Sequence, residues 1–311
     1  MTTALITGVA GFIGSSLADA LLNRGYTVRG IDNFATGSRE NLERIKGHDA
    51  FTFAETDIRD ADGVAEVMKD VDALFHQAAV PSVPRSVSDP VTTTDANCTG
   101  TATLLDAARK ADVGTAVVAS SSSVYGSSEQ LPKVETMTPS PESPYALSKY
   151  YTEKLAVQCS DLYGIDTVAL RYFNVFGPWQ DPEGEYAAVI PKFISLMLDG
   201  QRPVIYGDGE QSRDFTHIEN VIQANVLSAQ GDASGEVFNV GCGGRATVNG
   251  IVETLNKLLG TDIDALYKDP RPGDVRHSHA DISKAEGLLG YEPTVDFEEG
   301  LERTIEFYRD T

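Results

Sequence analysis

The chain has 311 residues, of which 41% are hydrophobic, so it can bury a substantial core and form one or two domains. Its 46 acidic residues outnumber 25 basic ones, and the resulting net charge of −21 makes nucleic acids and anionic membranes unfavourable partners. Three cysteines without paired spacing and five scattered histidines argue against a disulfide framework and against a metal site. With no apolar run of membrane-spanning length and no signal peptide, we expect a soluble, cytoplasmic protein.

The N-terminal segment combines a short apolar run, a glycine-rich turn and an amphipathic helix. Residues 4–6 predict a buried strand, Gly8, Gly11 and Gly14 follow it, and residues 12–24 carry apolar side chains at helical spacing. Glycines in such a turn let backbone N–H groups and the positive end of the helix dipole approach a pyrophosphate. The segment therefore predicts a dinucleotide-binding turn.

An acidic residue ends the second predicted strand. Asp32 follows the apolar run 26–31 about 20 residues after the glycines, where a carboxylate would accept hydrogen bonds from an adenosine ribose. A free ribose diol means NAD rather than NADP. Arg39 is near enough in sequence to leave NADP as an alternative, because an arginine can take the 2′-phosphate.

A second motif predicts acid–base chemistry. Ser143 and Pro144 begin a helix in which Tyr145 and Lys149, four residues apart, share one face. A cation beside a phenol stabilises the phenolate, so we expect the pKa of Tyr145 to be lowered enough for the phenol to act as a base. The serine run 120–123 follows a predicted buried strand, at the edge where open α/β sheets bind substrates.

The order of predicted elements indicates an α/β fold with a doubly wound parallel sheet. Strands are predicted near 3–7, 27–31, 51–54, 72–75, 115–119 and 166–170, with helices between them. The loop 177–182 breaks this alternation. We therefore expect a dinucleotide-binding domain over residues 1–174, to which about 214–240 return, and a smaller, mixed α/β substrate domain over 175–311.

At this point the chain resembles the extended short-chain dehydrogenase/reductase family, in particular its nucleotide-sugar epimerases and dehydratases. The resemblance covers the whole chain and depends on the order and spacing of several motifs. They are Thr7-Gly8-Val9-Ala10-Gly11-Phe12-Ile13-Gly14, Asp57-Ile58, His76-Gln77-Ala78-Ala79, Ser121-Ser122-Ser123-Val124-Tyr125-Gly126, Tyr145-Ala146-Leu147-Ser148-Lys149, Arg171-Tyr172-Phe173-Asn174, Arg213-Asp214-Phe215 and Arg271-Pro272-Gly273-Asp274.

The resemblance implies a tightly bound NAD and a UDP-sugar substrate. The implied cofactor-binding residues are Gly8, Gly11, Phe12, Ile13, Gly14, Asp32, Asn33, Thr36, Gly37, Asp57, Ile58, Gln77, Ala78, Ala79, Asn97, Tyr145, Lys149 and Tyr172. The implied substrate-binding residues are Ser121, Ser122, Ser123, Tyr145, Asn174, Ala188, Val189, Tyr206, Arg213, Arg271, Asp274 and Ser278. Among these, the arginines would clamp the diphosphate, Tyr206 would stack near the uracil, and Asn97 would lie near the nicotinamide.

Within the family, the resemblance favours a 4-epimerase. Dehydratases carry Asp-Glu directly after the catalytic hydroxyl residue, where this chain has Ser122 and Ser123. Counting back from Val124-Tyr125-Gly126 assigns that hydroxyl to Ser121, with the neighbouring serines as alternatives. Tyr145 would then be the base, and Lys149 would bind the nicotinamide ribose.

Substrate choice stays open between several UDP-sugars. Ser278 falls where the epimerases border the sugar 2-substituent, and a small residue there leaves room for an N-acetyl group. UDP-glucose and UDP-N-acetylglucosamine are therefore expected substrates. Because the run 120–125 also resembles UDP-glucuronate 4-epimerases, these remain an alternative, ahead of a dehydratase or a non-catalytic NAD-binding regulator. Family members are commonly homodimers through the tyrosine-bearing helix, where Tyr150, Tyr151, Leu155 and Val157 could serve the interface or the core.

The acidic composition leads to a prediction about salt. Because like charges repel, a net charge of −21 destabilises the compact state unless salt screens it, and we expect a halophilic protein. Thermal unfolding followed in increasing KCl should show a rising midpoint up to molar concentrations. A midpoint that does not rise with KCl would contradict adaptation to salt and leave an ordinary acidic protein.

Overall fold

A seven-stranded parallel sheet forms the centre of the computed structural model, which describes residues 2–183, 187–270 and 275–310. In chain order the strands are β1 (Thr3–Thr7), β2 (Thr27–Asp32), β3 (Phe51–Glu55), β4 (Ala73–His76), β5 (Thr115–Ser121), β6 (Asp166–Tyr172), β7 (Val175–Phe176), β8 (Val204–Tyr206), β9 (Ser212–Arg213), β10 (Thr216–His217), β11 (Glu236–Val240), β12 (Ala246–Thr247) and β13 (Leu266–Lys268). The central sheet has the order β11-β6-β5-β4-β1-β2-β3, and the other strands form short two-stranded pairs.

Helices cover both faces of this sheet. They are α1 (Phe12–Asn23), α2 (Arg39–Glu43), α3 (Ala61–Val67), α4 (Val83–Ser88), α5 (Pro90–Thr94), α6 (Gly100–Lys110), α7 (Pro144–Tyr163), α8 (Val189–Leu198), α9 (Ile218–Gln230), α10 (Val248–Leu259), α11 (Ser283–Leu289) and α12 (Phe297–Asp310). A π-helical turn, Asp95–Thr99, joins α5 to α6, and a 3-10 turn, Ser122–Tyr125, follows β5. The strand order reverses between β1 and β4, which places a cleft at their carboxyl ends. The predicted doubly wound α/β fold is confirmed.

The apolar residues of the sheet divide between two buried cores. On one face Leu17 and Leu21 of α1 pack with Val221 of α9, and on the other Val64 of α3 packs with Leu104 of α6. Such near-continuous apolar strands are expected when both faces of a parallel sheet are covered. Within the described ranges, no helix is both long and apolar enough to cross a membrane.

A third core lies apart from the sheet. It joins α8, α10 and α12 around Phe176, whose ring centroid lies 5.9 Å from that of Phe297. The chain returns to the sheet between these helices, because β11 pairs in parallel with β6. On this basis we propose the division into a sheet domain, 1–174 with a returning segment of about 214–240, and a second domain within 175–311.

A buried ion pair joins α7 to β6 beneath the carboxyl edge of the sheet. Arg171 donates to both carboxylate oxygens of Glu153 at 2.7 and 2.8 Å, and neither side chain is more than 3% exposed. The same guanidinium donates to Tyr125 Oη at 2.8 Å, and Ser120 Oγ donates to Glu153 at 3.1 Å. The pair therefore ties Ser120, the first residue of the serine run, to the helix that carries Tyr145.

Removing one partner of this pair should strongly destabilise the protein. Arg171→Met leaves the Glu153 carboxylate buried without its cation, so we expect the free energy of unfolding to fall by about 3–5 kcal/mol. Arg303→Met is a matched control, because Arg303 also contacts two carboxylates but is 40% exposed; it should cost less than about 1 kcal/mol. Urea denaturation measures both, and equal losses would show that burial of the pair contributes nothing.

Candidate active site

The glycine turn is packed so closely that side chains are excluded at two of its positions. A Cβ at Gly14 would lie 2.1 Å from the carbonyl oxygen of Gly8, so only glycine lets α1 start against the end of β1. Gly8 has φ +70°, and a Cβ there would lie 2.7 Å from the backbone of Ala78. The turn therefore presents backbone and the N-terminus of α1 to the cleft, as a pyrophosphate site requires.

A cavity of about 1070 Å³ extends from this turn along the carboxyl edge of the sheet. Most of the predicted cofactor residues line it, namely Gly8, Gly11, Phe12, Ile13, Gly14, Asp32, Asn33, Thr36, Asp57, Ile58, Gln77, Ala78, Ala79, Tyr145, Lys149 and Tyr172. Gly37 and Asn97 are not part of this lining. The cavity thus joins the acidic end of β2 to the face of α7 that carries the Tyr–Lys pair.

At one end of the cavity, Asp32 is held by the backbone. Its carboxylate accepts hydrogen bonds from the N–H groups of Ala10 at 3.0 Å and Phe34 at 2.8 Å, and burial raises its pKa above the usual value. Arg39, the residue that left NADP open, donates to Glu55 at 3.1 Å and lies over the Phe34 ring at 4.0 Å. Because Arg39 is engaged by Glu55 and Phe34, the Asp32 carboxylate is the group that would face a bound ribose, and a carboxylate favours a free diol over a 2′-phosphate.

At the other end, α7 begins where its sequence predicts. Ser143 Oγ accepts a hydrogen bond from Ala146 N at 3.1 Å, and Pro144 occupies the first turn. This start places Lys149 against β5, where its ammonium donates to the carbonyl oxygen of Ala119 at 2.9 Å. Burial lowers the pKa of Lys149 to about 8.

The expected lowering of the Tyr145 pKa is wrong for this structure. Burial of the phenol raises its pKa, and the hydrogen bond with the Ser121 side chain opposes this rise only in part. The Lys149 ammonium is directed to Ala119, so proximity along the helix does not by itself stabilise a phenolate. In this structure burial therefore dominates the pKa of Tyr145.

Among the four serines, Ser121 contacts Tyr145. Its Oγ also accepts hydrogen bonds from Ser123 N at 3.2 Å and Ser123 Oγ at 2.9 Å. Ser120 also borders the cavity, but it is 3% exposed and its hydroxyl donates to the buried Glu153 carboxylate at 3.1 Å, so that hydroxyl is already engaged. Ser122 begins the 3-10 turn that follows β5. This geometry supports the assignment of the substrate-oriented hydroxyl to Ser121.

Asn97 and Gly37 occupy packing positions. Asn97 is 2% exposed in the π-helical turn, and its amide bonds both backbone groups of Val80 as well as Ser148 Oγ at 2.9 Å. It therefore supports α7 and the segment after β4 rather than lining the cavity. A Cβ at Gly37 would lie 2.8 Å from Ala10 Cβ, so Gly37 allows the loop after β2 to pack on the glycine turn.

The predicted substrate residues lie on several segments. Arg213 donates to the carbonyl oxygens of Ser212 and Arg276, and the Asn174 amide donates to the carbonyl of Asp214, each at 3.0 Å. The backbone N–H of Asp214 bonds the carbonyl of Ser278 at 2.9 Å, which fixes the segment that carries Ser278 beside Arg213. Ala188 lines the main cavity, and Val189, the first residue of α8, packs against the third core.

Tyr206 lines a second cavity of about 710 Å³, together with Gln211, Lys268, Pro270 and Arg276. An aromatic ring beside polar side chains is compatible with the predicted place of a base. Arg271 and Asp274, the other predicted substrate residues, lie outside the described residues.

Sequence reasoning missed several residues that build the site. Glu153 lies four residues after Lys149 on the buried face of α7, and a charged residue on that face is the signal that could have indicated its ion pair. His76 is buried between the hydroxyls of Thr7 and Thr101 at 2.8 and 2.9 Å. Burial, and secondarily the charge of Lys149, lowers the pKa of His76 to about 3, so its imidazole stays neutral.

The loop that the sequence indicated only as a domain break also reaches the cavity. Trp179, Gln180 and Asp181 line it opposite the glycine turn. The chain has one tryptophan, and its position between two prolines in this loop is the signal that could have marked it.

Comparison with known proteins places this geometry in a family. The model of the NAD dependent epimerase/dehydratase family matches residues 4–241. UDP-glucose 4-epimerase of Mycolicibacterium smegmatis is 39% identical over 308 residues, covering 98% of each chain. The structure of UDP-N-acetylglucosamine 4-epimerase from Methanobrevibacter ruminantium in complex with UDP-N-acetylmuramic acid has a TM-score of 0.95 and 42% identity, covering 99% of this chain and 98% of that one.

A third relative was solved with both ligands. UDP-glucuronic acid 4-epimerase from Bacillus cereus, in complex with UDP-glucuronic acid and NAD, has a TM-score of 0.92 and 34% identity, with 99% of each chain covered. The predicted family and the prediction of an enzyme are thereby confirmed. The chain is an enzyme that belongs to the NAD dependent epimerase/dehydratase family.

Proposed function

We propose that the protein is a UDP-hexose 4-epimerase that interconverts UDP-N-acetylglucosamine, or UDP-glucose, and the galacto epimer. The observation that carries this proposal is the contact of Ser121 with Tyr145 above a buried Lys149, with serines at the two positions that hold Asp-Glu in dehydratases. These groups suffice to move a proton at the 4-hydroxyl. Elimination of water would need a further acid–base pair.

The residues that line the main cavity fit NAD. The glycine turn offers backbone donors without Cβ obstruction, and Asp32 offers carboxylate oxygens at one end of the cavity. Tyr145 and Lys149 lie at the other end, where they would contact the nicotinamide ribose. When bound, NAD supplies a hydride acceptor and a positive charge beside the phenol.

Each catalytic residue then has a separate role. Ser121 hydrogen-bonds the oxygen at C4 and holds it against Tyr145 Oη. Tyr145 would remove the proton of that hydroxyl when C4 is oxidised, and it would return the proton to the same oxygen when C4 is reduced again on its other face. Lys149 would hold the nicotinamide ribose, and its positive charge in the same cavity would favour the phenolate form of Tyr145. The net reaction is an inversion at C4 without oxidation.

The sugar 2-substituent is the point at which substrates differ. Ser278 is half-buried and held by two backbone hydrogen bonds, to Ser212 and from Asp214. Its short side chain supports acceptance of an N-acetyl group. UDP-glucuronate 4-epimerase is the second candidate, because Arg85 also lines the cavity and could face a carboxylate.

A panel of three UDP-sugars tests the proposal. Purified protein in high salt, without added NAD, should convert UDP-N-acetylglucosamine to its 4-epimer, as followed by NMR. Ser278→Tyr should shift selectivity toward UDP-glucose by about 10-fold or more, because a tyrosine fills the space for the N-acetyl group. Tyr145→Phe is the inactive control, with turnover lowered at least about 100-fold.

The outcomes of this panel are distinct. Equal selectivity of wild type and Ser278→Tyr would contradict the role of Ser278. Turnover of UDP-glucuronate alone would favour the second candidate. Inactivity toward all three sugars, with NAD present in the protein, would reject 4-epimerisation.

The surface beside the catalytic helix supports the proposal of a homodimer. Val87 and Val91 of α4 and α5 are 65% and 76% exposed, and Leu147 and Tyr151 of α7 are 57% and 40% exposed. Both α4 and α5 pack against α7, which carries Leu147 and Tyr151, whereas Leu155 packs into the core. An exposed apolar surface of this kind is typical of an interface.

Light scattering after size exclusion tests the dimer. Wild type should elute with the mass of two chains, and Leu147→Glu should elute with the mass of one, because it buries a charge in the interface. Leu288→Glu is the matched control, since Leu288 is 58% exposed on α11, and it should leave the mass unchanged. A monomeric wild type would reject the proposal.

A further inference from the structure

The sole tryptophan lies in a loop that reaches the cofactor cavity from the second domain. Trp179 has φ +70°, a left-handed conformation that is unfavourable for a bulky residue and persists only where surrounding contacts hold it. It lines the same cavity as the glycine turn. The loop thus closes one side of the space between the two domains.

Contacts from the second domain fix this loop. The Trp179 ring lies 4.7 Å from the ring of Phe307 on α12, measured between centroids. The neighbouring residue is fixed as well, because Tyr308 Oη donates to the carbonyl oxygen of Gln180, and the Gln180 amide donates to the carbonyl of Val175 at 3.2 Å. Trp179 therefore moves with the second domain.

The Trp179 ring also meets a cation from the sheet domain. The Arg44 guanidinium carbon lies 4.8 Å from the Trp179 ring centroid. Arg44 is the C-cap residue of α2. Its guanidinium donates to Ser15 Oγ at 3.0 Å and to Ser16 Oγ at 3.1 Å, and both serines lie on α1 directly after the glycine turn. The Asp19 carboxylate also acts on the charge of Arg44, and the guanidinium lies over the ring as a half-buried cation.

We propose that the contact between Arg44 and Trp179 is a latch that retains NAD between turnovers. It joins α1, which borders the cavity through Phe12 and Gly14, and α2, which borders it through Asn41, to the loop 179–181 that lines the same cavity. Widening the cavity by separating these walls requires this contact to break. The inference rests on the cofactor of the proposed function and not on the identity of the sugar.

Retention has a chemical reason in an enzyme with internal redox chemistry. The hydride taken from C4 must return to the same sugar, and a cofactor released in between would leave the sugar oxidised. A half-buried cation–π contact is strong enough to slow release without being part of the reaction. We therefore expect loss of the latch to speed the exchange of bound NAD even in the absence of any sugar.

A double-mutant cycle on NAD release tests this role. Holoenzyme is mixed with excess isotope-labelled NAD, and exchange of the bound cofactor is followed by mass spectrometry after rapid desalting. Trp179→Leu and Arg44→Met should each speed release about 10-fold, which corresponds to about 1.4 kcal/mol, and the double variant should be no faster than either single variant.

Two further variants separate the latch from general effects. Arg109→Met makes the same charge change at a cation–π contact away from the cavity, since Arg109 lies 5.1 Å from the Tyr163 ring centroid, and it should release NAD at the wild-type rate. Trp179→Phe keeps an aromatic face for Arg44 and should restore release to within about threefold of wild type. Emission of the sole tryptophan reports the contact directly, and Arg44→Met should change it in the holoenzyme.

Specific results would overturn the inference. If Trp179→Leu and Arg44→Met both release NAD at the wild-type rate, the contact does not retain the cofactor. The same conclusion follows if the increase in release rate of the double variant equals the product of the increases of the two single variants. If Trp179→Leu does not fold, release from Arg44→Met and Trp179→Phe still decides the question. Failure of the sugar assay alone would leave these rates unaffected, so the two proposals fail separately.

Discussion

The site depends on the packing of α7 against the end of β5. One hydrogen bond, from the Lys149 ammonium to the carbonyl of Ala119, fixes the helix in register with the strand, and the next residues of the strand are Ser120 and Ser121. Because of this register, Ser121 meets Tyr145, while Ser120 turns inward to Glu153. A shift of the helix by one residue would separate all of these groups, and the buried pair of Glu153 with Arg171 opposes such a shift.

A second constraint holds the segment that carries Ser278. The Asp214 carboxylate is fully buried and accepts hydrogen bonds from the N–H groups of Cys242, Gly243 and Ala280 at 2.8 to 3.2 Å. It thereby joins the end of β11 to the segment that carries Ser278. Burial raises the pKa of Asp214 to about 6, so the ionised carboxylate is retained at neutral pH by these three donors. The position of Ser278 thus depends on a buried carboxylate from another segment of the chain.

Local patterns were sufficient to predict the fold and most of the cavity lining. The glycine turn, the apolar strands and the start of α7 after Ser143 each follow from short-range spacing, and the structure has them where the sequence indicates. The serine run by itself could not show that the hydroxyl of Ser120 bonds to Glu153, because this contact depends on Glu153 and Arg171 from two elements distant in sequence. The motif of Tyr145 and Lys149 also gave the wrong direction for the Tyr145 pKa, since spacing along a helix reveals a nearby cation but not where its hydrogen bond points. Trp179 was missed for the same reason, because its partners come from α2 and α12.

The central claim is that the hydrogen at C4 leaves and returns within one binding event. UDP-N-acetylglucosamine that carries deuterium at C4 tests this most directly, when it is incubated with the protein in ordinary water without added NAD and the product is read by NMR. For the proposed 4-epimerase we expect the 4-epimer with deuterium retained at C4, because a hydrogen transferred to and from bound NAD would not exchange with solvent. A 4-epimer with protium at C4 would contradict it, because the inversion would then proceed through a proton taken from water.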